Sequence, residues 1–391
     1  MILIEELSEM QGAHSHRQAL RTLRPRVFAL NSESTRSQER TRAILNPKAT
    51  MPIYAIILAG GASSRYWPYD GDETPKYALK PDGETELLRS AWDRCLSVAP
   101  AEQILVVTAE RQSARVQTIL PELRAQNLLV EPCRRDTMAA VAYGVETIHS
   151  RNPDAIAVVT PADVLLNPND AFAAPLKLAL ESNLLEGRLF SFGVKPDSPH
   201  TGYGYLEKGE QLADGVYQAK RFVEKPKRET AEEYLASGNF LWNSGSFAWR
   251  ASDFLALLDE FHPGSLATLR EFVATPGAER ELRRDRFASM PATSVDYGIM
   301  ERAPSVGVFE LSASFDDIGT WDALERYGHF ADGTTLLVDS KDCAARTEGR
   351  VAFVGCENLI VVQHGDDLLV MHKDHGQRVK EVRRQVADAE G

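Results

Sequence analysis

Short apolar runs alternate with amphipathic helical patterns along the chain from Tyr54 onward. The run YAIIL is followed by the pattern ELLRSAWDRCL, QILVV by RVQTIL, NLLVEP by MAAVAYGVETI, and AIAVVTPAD by AFAAPLKLAL. Continuous apolar strands that alternate with amphipathic helices are typical of βαβ units, whose sheet is covered on both faces. The pattern predicts an α/β fold with a doubly wound, mixed and mostly parallel, Rossmann-like sheet.

Two regions depart from this pattern and set the predicted domain organisation. Residues 1–52 are rich in arginine and serine, so we predict a poorly ordered extension; Met51 is a candidate natural start, and a short helix over RQALRTLRPRV is the alternative. Residues 53–332 form the predicted α/β domain. In residues 333–391, short β-branched runs cut by turns predict a small β-solenoid-like piece with a terminal helix.

The composition limits the ligands and compartments that we expect. A net charge of −12 over 391 residues argues against a nucleic-acid partner, so any phosphate must be held by a local cationic pocket. No apolar run approaches the roughly 20 residues of a membrane span, and the N-terminus lacks a signal-peptide pattern, so we predict a cytoplasmic protein with no membrane partner. The four cysteines lack CxxC spacing, which favours reduced thiols over a zinc site.

The segment LAGGASSRYWPYDGDETPKYAL, residues 58–79, combines a glycine pair with two fixed cations. Gly60 and Gly61 follow the first apolar run, where bare backbone can approach a ligand and direct amide donors at it. Arg65 and Lys76 add positive charge, which favours a polyphosphate ligand over a ligand-free turn. The segment lacks the P-loop pattern and the third glycine of GxGxxG, which disfavours a P-loop ATPase and a Rossmann dehydrogenase.

Two aspartates lie at points where a sheet of this kind binds ligands. Asp163 follows the apolar run AIAVVTPA, and Asp317 lies in FDDIGTW. Each also has a structural interpretation, since an isolated Asp at a strand end can cap the next helix and a paired Asp can end a strand in a turn. The residue types alone leave both interpretations open.

Two further segments are equally ambiguous. Glu224 and Lys225 in FVEKP either form a solvated charge pair or face a cleft, the latter only if the chain turns there. Asn243 and Gly245 in WNSGSF either mark a bulge in an aromatic strand or recognise a ligand.

Taken together, these segments resemble the signature of sugar-1-phosphate nucleotidyltransferases, and RxWP followed by PK is most similar to the mannose-1-phosphate guanylyltransferases. The segments VEPCRRDTMAAVAYG, VVTPADVLL, TGYGYLEKG, FVEKP, FLWNSGSFAWRASDFL, SVDYGIMERA and FDDIGTWDAL match in order, and the tail ENLIVVQHGDDLLVMHKDHGQRVKEVRRQV resembles the family's C-terminal β-solenoid. The resemblance covers nearly all of the chain from Tyr54. It implies the nucleotide-diphospho-sugar transferase fold and transfer of GMP from GTP to α-D-mannose 1-phosphate, giving GDP-mannose and pyrophosphate.

The resemblance also implies roles for individual residues. The implied catalytic residues are Arg65, Lys76, Asp163, Lys225 and Asp317. The implied cofactor is Mg²⁺, held by Asp163 and Asp317, since magnesium takes one or two carboxylates and completes its shell with water and phosphates. The implied nucleotide-binding residues are Leu58, Ala59, Gly60, Gly61, Ser64, Arg65, Arg135, Asp136, Thr137 and Asp163. The implied sugar-binding residues are Gly204, Glu224, Lys225, Asn243 and Gly245.

The chain departs from the family pattern at positions that include 63, 71 and 136. Ser63 replaces a glycine, Gly71 an arginine and Asp136 an asparagine. A side chain at position 63 resists a positive φ, and a carboxylate at position 136 accepts hydrogen bonds but cannot donate them. Asp136 and Thr137 are also predicted to cap the helix that follows.

Two alternatives to mannose-1-phosphate guanylyl transfer are left open, and these departures motivate the second of them. One is a nucleotidyltransferase for another sugar 1-phosphate or another base. The other is a regulatory protein that binds a sugar nucleotide without turnover. The resemblance also allows a homodimer.

Overall fold

The structure is a computed structural model, and it describes residues 51–61, 63–69, 74–328, 330 and 335–390. The predicted extension lies outside the described residues except for its last two positions, as do its alternative helix and Gly71. Within the described part of the chain, no helix is long and apolar enough to cross a membrane.

A mixed sheet forms the centre of the fold. The strands of the α/β region are β1 (Ile53–Ala59), β2 (Ile104–Ala109), β3 (Leu128–Glu131), β4 (Ile156–Pro161), β5 (Leu165–Asn167), β6 (Leu189–Val194), β7 (Tyr205–Ala213), β8 (Val216–Val223), β9 (Phe240–Arg250), β10 (Val306–Leu311) and β11 (Ser314–Asp316). The main sheet has the order β3-β2-β1-β4-β9-β6-β10-β8-β7, and β5 pairs with β11 in a separate ribbon.

One half of the main sheet is entirely parallel, and the other half mixes parallel and antiparallel pairs. β1 runs parallel to β2 and β4, and β2 runs parallel to β3. β9 runs antiparallel to β4 and β6, and β7 and β8 form an antiparallel pair beyond β10. The parallel half therefore presents the carboxyl ends of four strands at one edge, which is where ligands bind in open α/β sheets.

Helices cover both faces of the sheet, as the alternating pattern predicted. They are α1 (Leu87–Leu96), α2 (Ser113–Ile119), α3 (Asp136–Arg151), α4 (Ala173–Glu181), α5 (Arg228–Ser237), α6 (Ala251–Phe261), α7 (Ser265–Ala274), α8 (Arg280–Ala288) and α9 (Trp321–Glu325). On β1, Ile56 packs in the core that contains α3, while Ile57 packs with Trp92 of α1 on the other face. The doubly wound α/β architecture is thereby confirmed.

The C-terminal region forms a small β-solenoid. Its elements are β12 (Thr335–Val338), β13 (Ala344–Arg346), β14 (Val351–Val354), β15 (Leu359–His364), β16 (Asp367–His372) and the helix α10 (Val379–Glu390). β12 pairs in parallel with β14, and β13 with β15, so that Thr335 aligns with Val351 and Ala344 with Ile360. Both pairs are offset by 16 positions, which is the length of one solenoid coil. β16 closes the region by pairing antiparallel to β15.

One apolar cluster is shared by the solenoid and the α/β region. Trp321 is fully buried and packs edge-on against Tyr66 and Tyr69, with ring centroids 4.9 and 5.1 Å away. The same cluster includes Ile360 of β15 and Val379 of α10. The segment that follows β1 is therefore packed against the C-terminal region.

The contact between α3 and β1 predicts the effect of a single methyl group. Every residue from Met138 to Ile148 of α3 is buried, and a Cβ added at Gly144 would lie 2.7 Å from Cδ1 of Ile56. We expect Gly144→Ala to lower the free energy of unfolding by about 1–3 kcal/mol, although alanine has the higher helix propensity.

Thermal and denaturant unfolding of Gly144→Ala and wild type would measure this difference. Gly277→Ala is the matched control, because a Cβ there meets no atom within 4 Å, and its effect should stay within about 0.5 kcal/mol. A Gly144→Ala protein as stable as the control would show that α3 moves freely away from β1.

Candidate functional site

The glycine pair lies at the ligand edge of the parallel half of the sheet. Leu58 of β1 pairs with Val107 of β2 and with Pro161 of β4, so the carboxyl ends of the three strands lie side by side. Gly61 follows β1 with a φ of 132°, a conformation that L side chains rarely adopt. The sequence therefore needs a glycine at this position to turn the backbone across the strand ends.

Ser63 adopts the positive φ that its side chain was expected to resist. Its φ is 45°, and its Oγ accepts a hydrogen bond of 2.9 Å from the backbone N–H of Lys76. This bond joins the two ends of the segment between the glycine pair and the lysine. The serine thus supplies a contact that a glycine at position 63 lacks.

The segment encloses a cavity of about 220 Å³, which we name the glycine-loop cavity. It is lined by Gly60, Gly61, Ser63, Ser64, Arg65, Tyr66, Pro75, Lys76, Tyr77, Asp163 and Gly319. Inside it, Nζ of Lys76 donates to Oδ2 of Asp163 at 2.8 Å. Residues far apart in the sequence are therefore brought together around one space.

The capping interpretation of Asp163 is wrong. β4 is followed by the strand β5, not by a helix, so Asp163 has no helix N-terminus to cap. Its side chain is 31% exposed and paired with Lys76, which leaves carboxylate surface open to the cavity.

Asp316 and Asp317 have different environments although they are adjacent. The carboxylate of Asp316 accepts from the backbone N–H of Ile318 at 2.8 Å and from Arg326 at 3.0 Å, so it stabilises the turn. Asp317 instead accepts a hydrogen bond of 3.3 Å from the hydroxyl of Tyr203. The carboxylate of Asp317 lies beside Gly319, which is one of the residues that line the glycine-loop cavity.

Asp317 and Arg65 both lie close to Gly319. A Cβ on Gly319 would lie 3.1 Å from both carboxylate oxygens of Asp317 and 3.3 Å from Nη1 of Arg65. Gly319 lines both the glycine-loop cavity and a second cavity of about 720 Å³, which also contains Asp317. Gly319 is thus shared by the cavity that Arg65, Lys76 and Asp163 line and by the cavity that contains Asp317.

The backbone beside Asp317 is strained. Ile318 has a φ of 41°, which is unfavourable for a β-branched residue, and it is fully buried. Its carbonyl accepts a hydrogen bond of 2.5 Å from the hydroxyl of Tyr66. Strained backbone of this kind persists only where surrounding contacts fix it, and such positions cluster at functional sites.

The charges of both predicted metal carboxylates affect the pKa of the Tyr66 hydroxyl. Burial raises the pKa of Tyr66 well above its usual value, and the charges of Asp317 and Asp163 add to the rise while Arg65 opposes it.

Among the described residues there is no group of three or more His, Cys, Asp or Glu that could hold a metal ion. Two carboxylates fit Mg²⁺, which takes few protein ligands when phosphates and water supply the others.

A third cavity, of about 200 Å³, adjoins the glycine pair on the side of β3. We name it the β3-edge cavity; it is lined by Leu58, Gly60, Gly61, Val107, Ala109, Glu131, Arg134, Arg135, Asp136, Thr137 and Ala140. It holds most of the predicted nucleotide-binding residues. Ala59 is different, because its side chain is buried on the opposite face of the sheet with Trp92.

Asp136 and Thr137 do not form the predicted helix cap. α3 begins at Asp136, whose carboxylate accepts from the adjacent N–H of Thr137, at 2.7 Å. The hydroxyl of Thr137 accepts from the backbone N–H of Val295 at 3.0 Å instead of from its own helix. Thr137 thus links α3 to the segment that contains Val295.

Glu131, the last residue of β3, was not singled out in the sequence. Burial raises its pKa to about 7, and the nearby Arg134 opposes the rise. A Cβ on Gly60 would lie 3.9 Å from its Oε2, so the carboxyl group is directed at the glycine pair. The only signal in the sequence was its place at the end of a predicted strand.

The predicted sugar-binding residues come together next to Tyr203. A Cβ on Gly204 would overlap the carboxylate of Glu224 and lie 3.3 Å from Cβ of Asn243. Lys225 has a φ of 47°, so the chain turns there, and its Nζ lies 2.9 Å from Oε1 of Glu224. This turn is the condition under which both side chains can reach the same space.

Asn243 is buried and held on three sides. Its Oδ1 accepts from Ser191 at 2.9 Å and from the N–H of Gly245 at 3.1 Å, and its Nδ2 donates to Asp296 at 2.8 Å. Gly245 has a φ of 70° where the pairing of β6 and β9 becomes irregular, so the bulge is present. A Cβ on Gly245 would lie 3.7 Å from Pro161, which joins this group to the end of β4.

Asp296 is a second residue that the sequence did not indicate. It begins a π-helical turn, Asp296–Met300, and burial raises its pKa to about 6, with the charge of Glu224 adding to the rise. The segment SVDYGIMERA was recognised as a whole, but a single Asp before an apolar turn carries no sign of burial.

Family models and known proteins match most of the chain. A family model described as nucleotidyl transferase matches residues 54–332, and one described as the MannoseP isomerase/GMP-like beta-helix domain matches residues 333–386. The xanthan biosynthesis protein XanB of Xanthomonas campestris is 35% identical over 349 residues, which cover 86% of this chain and 74% of that protein. A mannose-1-phosphate guanylyltransferase of Klebsiella pneumoniae is 35% identical over 343 residues, covering 84% and 72% of the two chains.

A solved structure gives the same result. The crystal structure described as mannose-1-phosphate geranyltransferase from Thermus thermophilus superposes with a TM-score of 0.73 at 31% identity, covering 86% of this chain and all of that one. The chain therefore belongs to the nucleotidyl transferase family, among the enzymes of the mannose-1-phosphate guanylyltransferase type.

Proposed function

We propose that the protein transfers GMP from GTP to α-D-mannose 1-phosphate, giving GDP-mannose and pyrophosphate. The observation that carries this proposal is the contact of Lys76 with Asp163 inside the glycine-loop cavity, beside Arg65 and the glycine pair. Backbone amides and two cations there suit the triphosphate, and the cluster around Glu224 and Asn243 suits a sugar.

The chemistry requires alignment of two anions, not a protein nucleophile. An oxygen of the sugar 1-phosphate attacks the α-phosphorus of GTP, while the bond from that phosphorus to the oxygen that leads to the β-phosphate breaks. Pyrophosphate leaves with that oxygen and its electron pair. Arg65 binds the charge that develops on the leaving group, and Lys76 and Lys225 hold the phosphates in line.

Asp163 and Asp317 would hold the Mg²⁺ that we propose as cofactor. When bound, the ion supplies positive charge to the reacting phosphates. Tyr203 orients the carboxylate of Asp317 through its hydroxyl, and Lys76 orients that of Asp163. Both carboxylates are therefore placed by neighbours before any ligand arrives.

We propose that Glu131 reads the base in the β3-edge cavity. The edge of guanine presents two adjacent N–H donors, and an ionised carboxylate offers two acceptor oxygens. Adenine presents an acceptor at the corresponding ring nitrogen, which a carboxylate repels. The apolar walls formed by Leu58 and Val107 suit the faces of a planar ring.

The sugar is assigned to the group around Gly204. Glu224 accepts hydrogen bonds from sugar hydroxyls, and the absence of a side chain at Gly204 leaves room for that carboxylate. The bond from Asn243 to Asp296 uses one of the two hydrogens on Nδ2, so a second is available to a ligand oxygen. Lys225, whose side chain is 60% exposed, can turn from Glu224 to the sugar phosphate.

Lys76→Met tests the triphosphate assignment. Loss of the ammonium should lower kcat by about 10²–10³-fold, because a charge-stabilising donor is removed from the transition state. The measurement is pyrophosphate release with GTP and mannose 1-phosphate, with and without Mg²⁺. Lys80→Met is the matched control, since Lys80 pairs with Glu86 outside the cavity and should leave kcat unchanged.

A matrix of nucleoside triphosphates and sugar 1-phosphates separates the alternatives in the same assay. Equal or better turnover with UTP or glucose 1-phosphate would contradict the proposed specificity. Tight binding of GDP-mannose without any pyrophosphate release would identify a non-catalytic binding protein instead.

The pKa of Glu131 predicts a pH dependence of GTP binding. The carboxyl accepts both guanine N–H groups only when ionised, so the KM for GTP should fall as the pH rises through about 7. Glu131→Gln should remove this dependence and raise the KM for GTP by about tenfold at pH 8, the loss expected for one hydrogen bond to a charged group.

Steady-state kinetics between pH 6 and 8 provide the measurement. Glu102→Gln is the control, because Glu102 is exposed and precedes the amino end of β2, whereas the cavity lies at the carboxyl ends of the strands. An unchanged pH profile in Glu131→Gln would contradict the base-reading role.

Glu224→Gln tests the sugar assignment separately. Replacing one carboxylate oxygen by an amide nitrogen should raise the KM for mannose 1-phosphate by about tenfold and leave the KM for GTP nearly unchanged. Glu229→Gln, on the exposed face of α5, is the control. A rise in the KM for GTP alone would show that Glu224 belongs to the nucleotide side.

A further inference from the structure

A residue of the C-terminal region touches the arginine of the glycine-loop cavity. β16 is followed by the 3₁₀ turn Lys373–Arg378, which carries Gln377. Oε1 of Gln377 accepts a hydrogen bond of 3.0 Å from Nη1 of Arg65, although the two residues are 312 positions apart. Gln377 also lines the large cavity that contains Asp317.

The turn that carries Gln377 is fixed against α9. A Cβ on the buried Gly376 would overlap the carboxylate of Asp322 and lie 3.0 Å from Cβ of Thr320, so only glycine permits this approach. Nζ of Lys373 lies 3.0 Å from Oε2 of Glu325, and both side chains are about a quarter exposed. The turn is thus anchored directly after the strained segment that contains Asp317.

The C-terminal region also holds the segment on the other side of Arg65. Nε of Arg346 on β13 donates to the hydroxyl of Tyr69 at 2.7 Å. The ring of Tyr69 lies 4.8 Å from that of His364 on β15 and 5.1 Å from that of Trp321. The backbone that carries Arg65 is therefore packed against two strands of the solenoid.

The chemistry of the contact suits a positioning role. A guanidinium has five N–H donors, so one bond to Gln377 leaves others for phosphate oxygens. The amide oxygen of glutamine is neutral, and it restricts the long arginine side chain without cancelling its charge. A carboxylate at the same place would compete with the phosphates for the guanidinium.

We propose that Gln377 is a positioning residue for the nucleotide reaction: the C-terminal region completes the triphosphate site by holding the guanidinium of Arg65 towards the glycine-loop cavity. This rests on the proposed role of Arg65 at the triphosphate. Under this proposal the C-terminal region contributes to the triphosphate site by positioning Arg65.

Gln377→Met tests this proposal, because methionine matches the size of glutamine without an amide acceptor. The dissociation constant of pyrophosphate, measured by calorimetry, should rise about tenfold, and kcat/KM for GTP should fall by a similar factor. The KM for the sugar phosphate and the Tm should stay as in wild type. Gln363→Met is the matched control, since Gln363 lies on β15 of the same region and bonds locally to Gly365.

A double-mutant cycle identifies action through Arg65. In an Arg65→Lys background, Gln377→Met should have no further effect on pyrophosphate binding, because the bonded group is already absent. Gln377→Glu should retain the bond but weaken pyrophosphate binding, more strongly at low salt, since it opposes the charge of Arg65.

Three results would overturn the proposal. They are pyrophosphate binding in Gln377→Met equal to that of Gln363→Met, effects of Gln377→Met and Arg65→Lys that simply add, and a fall in Tm that alone accounts for the lost activity. Failure of the proposed function is a different result, namely wild-type protein that binds pyrophosphate but forms no sugar nucleotide.

Discussion

The parallel alignment of β1 with β2 and β4 is the constraint on which the rest of the site depends. It places Leu58, Val107 and Pro161 side by side, so the chain leaves three strands at nearly the same level. The glycine pair, the β3-edge cavity and Asp163 all take their positions from that level. A slip by one residue would turn the alternate side chains of β1 to the wrong face and separate the residues of the site.

Charge in the site is arranged by contact and not by overall composition. The chain carries a net charge of −12, yet its glycine-loop cavity holds Arg65 and Lys76. Each cation has a partner that orients it, and each partner differs in kind: an aspartate for the lysine and a neutral amide for the arginine. The strained backbone at Ile318 follows the second carboxylate, which lies beside Gly319, and the buried hydroxyl of Tyr66 bonds to the carbonyl of Ile318.

Much of this arrangement could be predicted from the sequence because it rests on local patterns. Continuous apolar runs predict buried parallel strands, and Gly61 followed by Arg65 predicts a phosphate-binding turn without knowledge of the partners. Residue types alone do not separate Asp316 from Asp317, and it was the family resemblance that selected Asp317. The difference in their contacts comes from Arg326 and Tyr203, which lie in other parts of the chain. Capping by Asp163 was a reasonable local interpretation, and it is wrong because a strand follows β4.

Two of the residues that could not be found share one property, which is that burial determines their chemistry. Glu131 and Asp296 are ordinary acids in the sequence, and their raised pKa values arise only when the surrounding elements exclude water. Gln377 is exposed, and what distinguishes it is its contact with Arg65, 312 positions away along the chain. Local sequence holds no record of such contacts, because they form between elements that are distant along the chain.

The register of the solenoid has a consequence for how such a chain can change in length. The parallel strands are offset by 16 positions in two pairs, β12 with β14 and β13 with β15, so deletion of one full coil would remove one strand of each pair. It would also shorten the stack by one strand spacing, about 4.8 Å, which exceeds the reach of a single hydrogen bond. The number of coils therefore determines where the chain that follows the solenoid returns to the site.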